Sequence, residues 1–280
     1  MDTYLDRILD ATRRRLVDAQ ARRSLGDLER DVREVGSPRD FTGALRAEGI
    51  SLIAEFKRRS PSKGAIRADA TPQRTARAYE RGGARALSVL TEPDFFSGSL
   101  ADLQAARRVT ALPAIRKDFV LEPYQVVEAR LAGADAILLI VAALRDPGRY
   151  AELAAAARDY GLAALVEIHD EWELDAAFAV EPAIVGVNQR DLRTFAVDTG
   201  LAIRMRPRIP PDVVVVAESG IATRADVTAL EEADVDAMLV GETLMRAPDP
   251  AAATATLLGR EEPDPETDED LEPEPVSSDR

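Results

Sequence analysis

The sequence predicts an α/β fold, a closed (β/α)8 barrel of the TIM type, on three observations. Eight short apolar runs rich in β-branched residues recur along the chain, at Ser51–Phe56, Ala86–Leu90, Leu112–Ile115, Ala136–Val141, Ala163–Ile168, Ala183–Val187, Val213–Ala217 and Ala237–Val240. Their spacing is regular: Leu52 to Leu239 is 187 residues over seven intervals, about 27 per repeat. Amphipathic stretches rich in Ala, Arg and Glu lie between them. Continuous apolar strands alternating with helices indicate βαβ units and a parallel sheet buried on both faces. Eight units of this length favour closure, and the GxGxxG turn of an open doubly wound sheet is absent from the sequence.

In chain order, residues 1–47 read as a helical extension packed on the barrel. Leu5, Ile8, Leu9, Leu16 and Val17 fall at helical spacing, and Phe41, Ala44 and Leu45 suggest a short second helix after Ser37-Pro38. Residues 48–259 hold the barrel. Its helices are expected at Gln73–Arg81, Leu100–Arg108, Pro123–Leu131, Gly148–Tyr160, Glu171–Ala179 and Arg224–Glu232. Residues 260–280 are acidic, rich in Pro and nearly free of apolar residues, which predicts a disordered tail.

Composition excludes several function classes. The net charge is −14, and Glu261–Arg280, with ten acids and one Arg, supplies −9 of it, so residues 1–260 carry about −5. That sign argues against a nucleic-acid partner, since phosphate backbones require basic faces. No apolar run is long enough to span a bilayer, and the N-terminus lacks a signal-peptide core, so no membrane partner and a cytoplasmic location are expected. With no Cys and one His, neither thiol catalysis nor a His-cluster metal site is expected. An acid-rich, Lys-poor chain also suggests adaptation to a salt-rich, halophilic cytoplasm.

The polar residues gather at the strand ends. The first run closes as AEFKRRSPSKG, residues 54–64, with Glu55, Lys57, Ser60 and Ser62 where the strand should stop. Lys57, Lys63 and Lys117 are the only lysines, against 33 arginines (36 − 3). Arg stays charged, whereas a Lys can be tuned to transfer a proton, so a Lys beside Glu at a strand end suggests proton chemistry. Lys63 reads as a solvated or positioning loop residue. The later runs end in Arg116-Lys117-Asp118, Glu167, Asn188 with Arg190 close behind, Glu218-Ser219-Gly220, and Gly241-Glu242. Active sites of such barrels sit at the C-terminal strand ends, and the loops after strands seven and eight commonly hold phosphate. These residues therefore predict an enzyme acting on a small phosphorylated molecule. His169 is assigned a capping or surface role and Trp172 a packing role; Phe95 and Phe96 could wall a substrate or close the mouth.

The motifs AEFKRRSPSKG, SVLTEPDFFSGS (88–99), IRKDFV (115–120), ADAILLI (134–140), VEIHDEWEL (166–174), GVNQRDL (186–192), AESGI (217–221) and VGETLM (240–245) together resemble indole-3-glycerol phosphate synthase, of tryptophan biosynthesis. Gln189, where Asn or Ser is commoner, and the acidic tail depart from the pattern. The resemblance implies ring closure of 1-(2-carboxyphenylamino)-1-deoxyribulose 5-phosphate with loss of CO2 and water. It implies Lys117 as general acid, Glu167 with Glu55 and Lys57 in dehydration, and Asn188, Arg190 and Glu218 positioning sugar hydroxyls and catalytic side chains. Lys57 and Ser60 would hold the departing carboxylate, Phe119 would contact substrate, and Ser219, Gly220, Gly241 and Glu242 would cradle phosphate. No cofactor or metal is implied, and other tryptophan-pathway enzymes are candidate partners. The alternatives are phosphoribosylanthranilate isomerase, which would be expected to use a Cys that this chain lacks, and a non-catalytic sensor of a phosphorylated metabolite.

Overall fold

Eight parallel strands form a closed barrel: β1 (Ser51–Phe56), β2 (Ala86–Leu90), β3 (Ala114–Lys117), β4 (Ala136–Ile140), β5 (Ala163–Ile168), β6 (Ile184–Asn188), β7 (Val214–Glu218) and β8 (Ala237–Val240). Each pairs with the next in chain order and β8 closes on β1. The structure, a computed structural model, describes residues 3–191 and 194–263. Most of the expected tail lies outside the described residues. All eight strands are mostly buried, as strands covered on both faces must be.

The runs expected from sequence differ from the strands mainly at their ends. The third strand was expected to stop at Ile115, yet the ladder begins at Ala114, after Pro113, and carries Arg116 and Lys117. Strands β6 and β7 likewise extend into Asn188 and Glu218, which pair with one another. Ladder hydrogen bonds are made by backbone groups, so a charge can sit in the sheet wherever its side chain finds partners. Arg116 finds them in Asp118 at 3.0 Å, Glu128 at 2.8 Å and the Gln125 carbonyl at 2.9 Å.

Helices appear where expected over Leu100–Arg108, Pro123–Leu131 and Arg224–Glu232, and within a residue at Pro72–Arg81 and Pro147–Asp159. The stretch Glu171–Ala179 is instead a 3-10 turn, Glu171–Glu173, running into a short helix, Leu174–Phe178.

The N-terminal helix, Tyr4–Arg22, starts with a capping box made by Thr3 and Asp6. Its buried face is Leu5, Ile8, Leu9, Thr12 and Leu16, whereas Val17, expected on that face, is 66% exposed. Thr12 takes the place because it lies one turn before Leu16, while Val17 is rotated past the stripe. Arg15 of this helix bonds Glu92, at 2.9 Å, and Asp94, both in the segment after β2, and Gln20 donates to Glu122 after β3 at 2.7 Å. The helix is thereby tied across the C-terminal end of the barrel. At the opposite end Phe41–Leu45 forms the expected short helix; Phe41 and Leu45 are buried, and Ser51 Oγ donates to the Leu45 carbonyl at 2.9 Å.

Candidate active site

The C-terminal strand ends surround a cavity of about 640 Å³. Glu55, Lys57, Ser60, Lys117, Phe119, Glu167, Asn188, Arg190, Glu218, Ser219, Gly220, Gly241 and Glu242 all line it. Four of them, Glu55, Lys117, Glu167 and Glu218, come from β1, β3, β5 and β7. Alternate strands of such a barrel contribute the side chains of one interior layer, so these charges are brought together by closure of the sheet. Side chains two apart on a strand share a face, which points Lys57 the same way as Glu55.

Lys117 is the hub. Its Nζ donates to Glu167 Oε2 at 2.8 Å and lies 3.3 Å from Glu218 Oε2. Burial works against its charge, but Glu167, Glu218 and Glu55 together hold the amine above its ordinary pKa. Burial also pushes Glu167 toward neutrality, yet Lys117 and then His169 overcome it, and this carboxyl is held well below the usual carboxylate range. Glu218 goes the other way. Its burial, opposed by Lys117 and reinforced by Glu167 and Glu55, raises it to about 8. Glu218 Oε1 has no hydrogen-bond partner and lies against Gly186, where a Cβ would stand 2.3 Å from it. The arrangement therefore sets a firmly charged amine beside one ionised and one protonated carboxyl at neutral pH, an acid and a base within reach of one substrate.

Lys57 pairs with Glu55. Its Nζ donates to Glu55 Oε1 at 2.5 Å, and Ser88 Oγ donates to Glu55 Oε2 at 3.3 Å. Gly241 serves this pair, because a Cβ there would stand 2.5 Å from Glu55 Oε1 and 3.1 Å from Glu55 Cβ. Lys63 is half exposed, 3.9 Å from the Glu242 carboxylate, which Arg246 also holds at 3.1 Å.

Across the cavity the segment after β7 turns sharply. Ser219 and Gly220 are both left-handed, with φ of 69° and 80°. A side chain at Gly220 would also meet Val197 Cγ1 at 2.6 Å. Asn188 Oδ1 accepts from Ser219 Oγ at 2.9 Å and from the Arg190 backbone N–H at 3.1 Å, and Arg190 donates to the Phe195 carbonyl at 3.2 Å. Successive backbone N–H groups in such a turn suit an anion. Opposite them the wall is apolar, with Leu90, Phe96, Phe119, Leu138 and Ile140.

The family profile described as "Indole-3-glycerol phosphate synthase" matches residues 5–257. The chain belongs to that family. It is 46% identical over 263 residues to the indole-3-glycerol phosphate synthase of Aromatoleum aromaticum, covering 92% of this chain and 100% of that relative. It is 45% identical over 256 residues to the synthase of Mycolicibacterium vanbaalenii, covering 91% and 94%. Among solved structures, the thiamine phosphate pyrophosphorylase of Pyrococcus furiosus is similar at a TM-score of 0.55 and 15% identity, over 76% of this chain and 95% of that one, a likeness of fold alone. The activity of the synthase family is a carboxy-lyase step in tryptophan biosynthesis.

Several residues of this synthase chain acquire a place that sequence reading missed. Tyr4, Leu5 and Ile8 of the N-terminal helix line the cavity, and Tyr4 packs edge-on against Phe95 and Phe195 at 5.4 and 5.6 Å. Of the two phenylalanines with open roles, Phe96 lines the cavity and Phe95 packs against Tyr4 of that helix. Gln189, the departure from the family pattern, is buried; its Nε2 donates to the Ser219 carbonyl at 2.8 Å, tying the end of β6 to the left-handed turn. Trp172, assigned to packing, is 90% exposed, because the 3-10 turn that carries it points the ring outward. His169 is a second correction: it neither caps nor faces solvent. Asp170 caps the turn, and the His169 side chain is 10% exposed with Nε2 3.3 Å from Glu167 Oε1. The period of two that aligns Lys57 with Glu55 also aligns His169 with Glu167, and it was the signal available in the sequence.

Proposed function

We propose that this chain carries out the family's ring closure with Lys117 as general acid, acting on 1-(2-carboxyphenylamino)-1-deoxyribulose 5-phosphate. The aromatic ring would lie on the apolar wall, the carboxylate to be lost near Lys57 and Ser60, and the phosphate at Ser219, Gly220, Gly241 and Glu242, the last two through their backbone. The ring carbon bearing the carboxylate attacks the ribulose carbonyl. Lys117 protonates the developing alkoxide, and a proton donor aimed where charge develops stabilises the transition state. Loss of CO2 restores the bond electrons to the ring. Expulsion of the hydroxyl as water and removal of a proton from the methylene carbon next to the nitrogen then complete the indole, the part assigned to Glu167 with Glu55 and Lys57. Asn188, Arg190 and Glu218 position the sugar hydroxyls and the catalytic groups.

One observation carries the reading: the Lys117 ammonium sits 2.8 Å from Glu167 and 3.3 Å from Glu218, inside a cavity that is apolar on one side. The same reading takes residues 1–47 as an extension of the barrel domain, 48–259. It takes the enzyme as cytoplasmic, in a salt-rich cell, with neither nucleic acid nor membrane as partner and with other tryptophan-pathway enzymes as candidate partners. Among the described residues no helix is long and apolar enough to cross a membrane.

The experiment is direct. The protein is incubated with the carboxyphenylamino ribulose phosphate in high-salt buffer and indole fluorescence is followed. Lys117→Ala is expected to abolish turnover while substrate affinity stays within roughly tenfold, about 1.4 kcal/mol. Folded wild-type protein that forms no indole would overturn the activity, and a Lys117→Ala variant with wild-type rates would overturn the role of the amine.

A further inference from the structure

The Glu167 carboxylate has two faces, and the mechanism above uses one of them. Oε2 accepts from Lys117 at 2.8 Å, inside the cavity. Oε1 points the other way, to His169 Nε2 at 3.3 Å, and the other ring nitrogen, Nδ1, lies 3.6 Å from Glu173 Oε2. Glu173 is itself fixed, because the same oxygen accepts from the His169 backbone N–H at 2.7 Å. The imidazole thus stands between two carboxylates at ion-pair distance, neither ring nitrogen making a hydrogen bond, with its side chain only 10% exposed. It does not line the cavity. The charged groups that face this unit are Glu167 and Glu173 directly, and Lys117 from β3 and Glu218 from β7 across Glu167.

We propose that His169 is a positioning residue for the reaction: clasped as a cation between Glu167 and Glu173, it keeps Glu167 ionised and turned so that Oε2 meets Lys117 and the substrate.

Two buried anions this close to one ring favour its charged form. Although burial alone would lower the histidine, Glu167 and Glu173 raise it to about 10, so the clasp holds throughout the working range of pH. Without that cation, Glu167 would keep only the Lys117 ammonium, which it shares with Glu218, as a cationic partner. A shift of the carboxylate about its remaining bond to Lys117 would cost alignment, and a misplacement of about 1 Å can cost on the order of a hundredfold in rate. The inference rests on the role given to Glu167 above.

The protein has a single His, which makes the test simple. In the full-length chain labelled with 15N-histidine, the ring nitrogens are followed by NMR from pH 5 to about 11, without substrate. The ring is expected to stay an imidazolium to pH 8 or beyond in the wild type, and its midpoint to fall by about one unit or more in Glu173→Gln. A ring that titrates near its ordinary 6.5 would overturn the proposal. This arm needs no turnover, so its failure is distinguishable from failure of the activity itself. In the kinetic arm, His169→Asn is expected to lower kcat about tenfold or more with KM within threefold. The acidic limb of its kcat profile should move up by about one to three units. An unchanged kcat and pH profile, or a loss in KM alone, would refute the positioning role. Should His169→Asn not fold, Glu173→Gln carries the kinetic test: its alkaline limb is expected to move down with the ring's midpoint, and a fixed limb beside a shifted midpoint overturns the proposal.

Discussion

Replacing Lys117 with Met keeps the length of the side chain and removes the cation that binds the site together. The Nζ lies 2.8 Å from Glu167 and 3.3 Å from Glu218. With an effective dielectric constant near 20, charge pairs at those separations attract by about 6 and about 5 kcal/mol. Glu218, raised to about 8, is largely uncharged at neutral pH, so the Glu167 pair dominates there. Desolvation of the buried ions costs several kcal/mol against this attraction, and breaking such a pair from one side typically destabilises by about 3–5 kcal/mol. The sign of the pH dependence follows from each form. In the wild type Glu167 is depressed, so its contribution is present above the unfolded value of 4.5 and is lost as pH falls below it. In Lys117→Met the stranded carboxyls have folded pKa values above 4.5, and stability is lost as pH rises through them. The second effect shrinks the deficit of the variant as pH falls from 8 to 5, and the first does so only below 4.5. Urea unfolding followed by circular dichroism should give a deficit of about 3–5 kcal/mol at pH 8, and one smaller by about 1.4 kcal/mol or more at pH 5. An equal deficit at the two pH values would refute the reasoning, because it would mean that the carboxyls do not feel the ammonium.

Two further predictions concern the neighbours of this amine. Glu218 has a folded pKa raised to about 8, so its contribution is full below 4.5 and declines as pH rises through 8. Glu218→Gln, which cannot ionise, should therefore gain thermal stability relative to wild type as pH goes from 5 to 8; a constant difference in Tm would contradict the raised value. Gly241→Ala puts a Cβ 2.5 Å from Glu55 Oε1 and 3.1 Å from its Cβ, so the Glu55 side chain must shift from its place beside Lys57. Overpacking of this kind should destabilise by about 1–3 kcal/mol, and kcat should fall with it; an unaltered kcat would show that Glu55 is not needed where it stands.

The eight strands, most of their helices and the gathering of polar groups at the strand ends were legible in the sequence. Each depends on local pattern: a buried parallel strand must be apolar throughout, and a charge that ends such a run stands out against it. Strand ends were read one or two residues short where Lys117, Asn188 and Glu218 continue the ladder, since backbone pairing ignores side-chain polarity. What the sequence could not determine is which of those groups meet. Lys117 and Glu167 are separated by 50 residues, and only closure of the barrel puts β1, β3, β5 and β7 into one layer, where Lys117 serves two carboxylates and Lys57 turns to Glu55. The same holds for the N-terminal helix, whose apolar stripe announces burial but not that Tyr4, Leu5 and Ile8 roof the cavity. His169 and Trp172 were misread in opposite directions because burial of an isolated ring depends on where a short turn aims it, and a 3-10 turn leaves no periodic pattern to read. By itself the sequence determined the kinds of group present and the end of the barrel that holds them; their partners and their protonation states came from distances and burial that exist only in the folded chain.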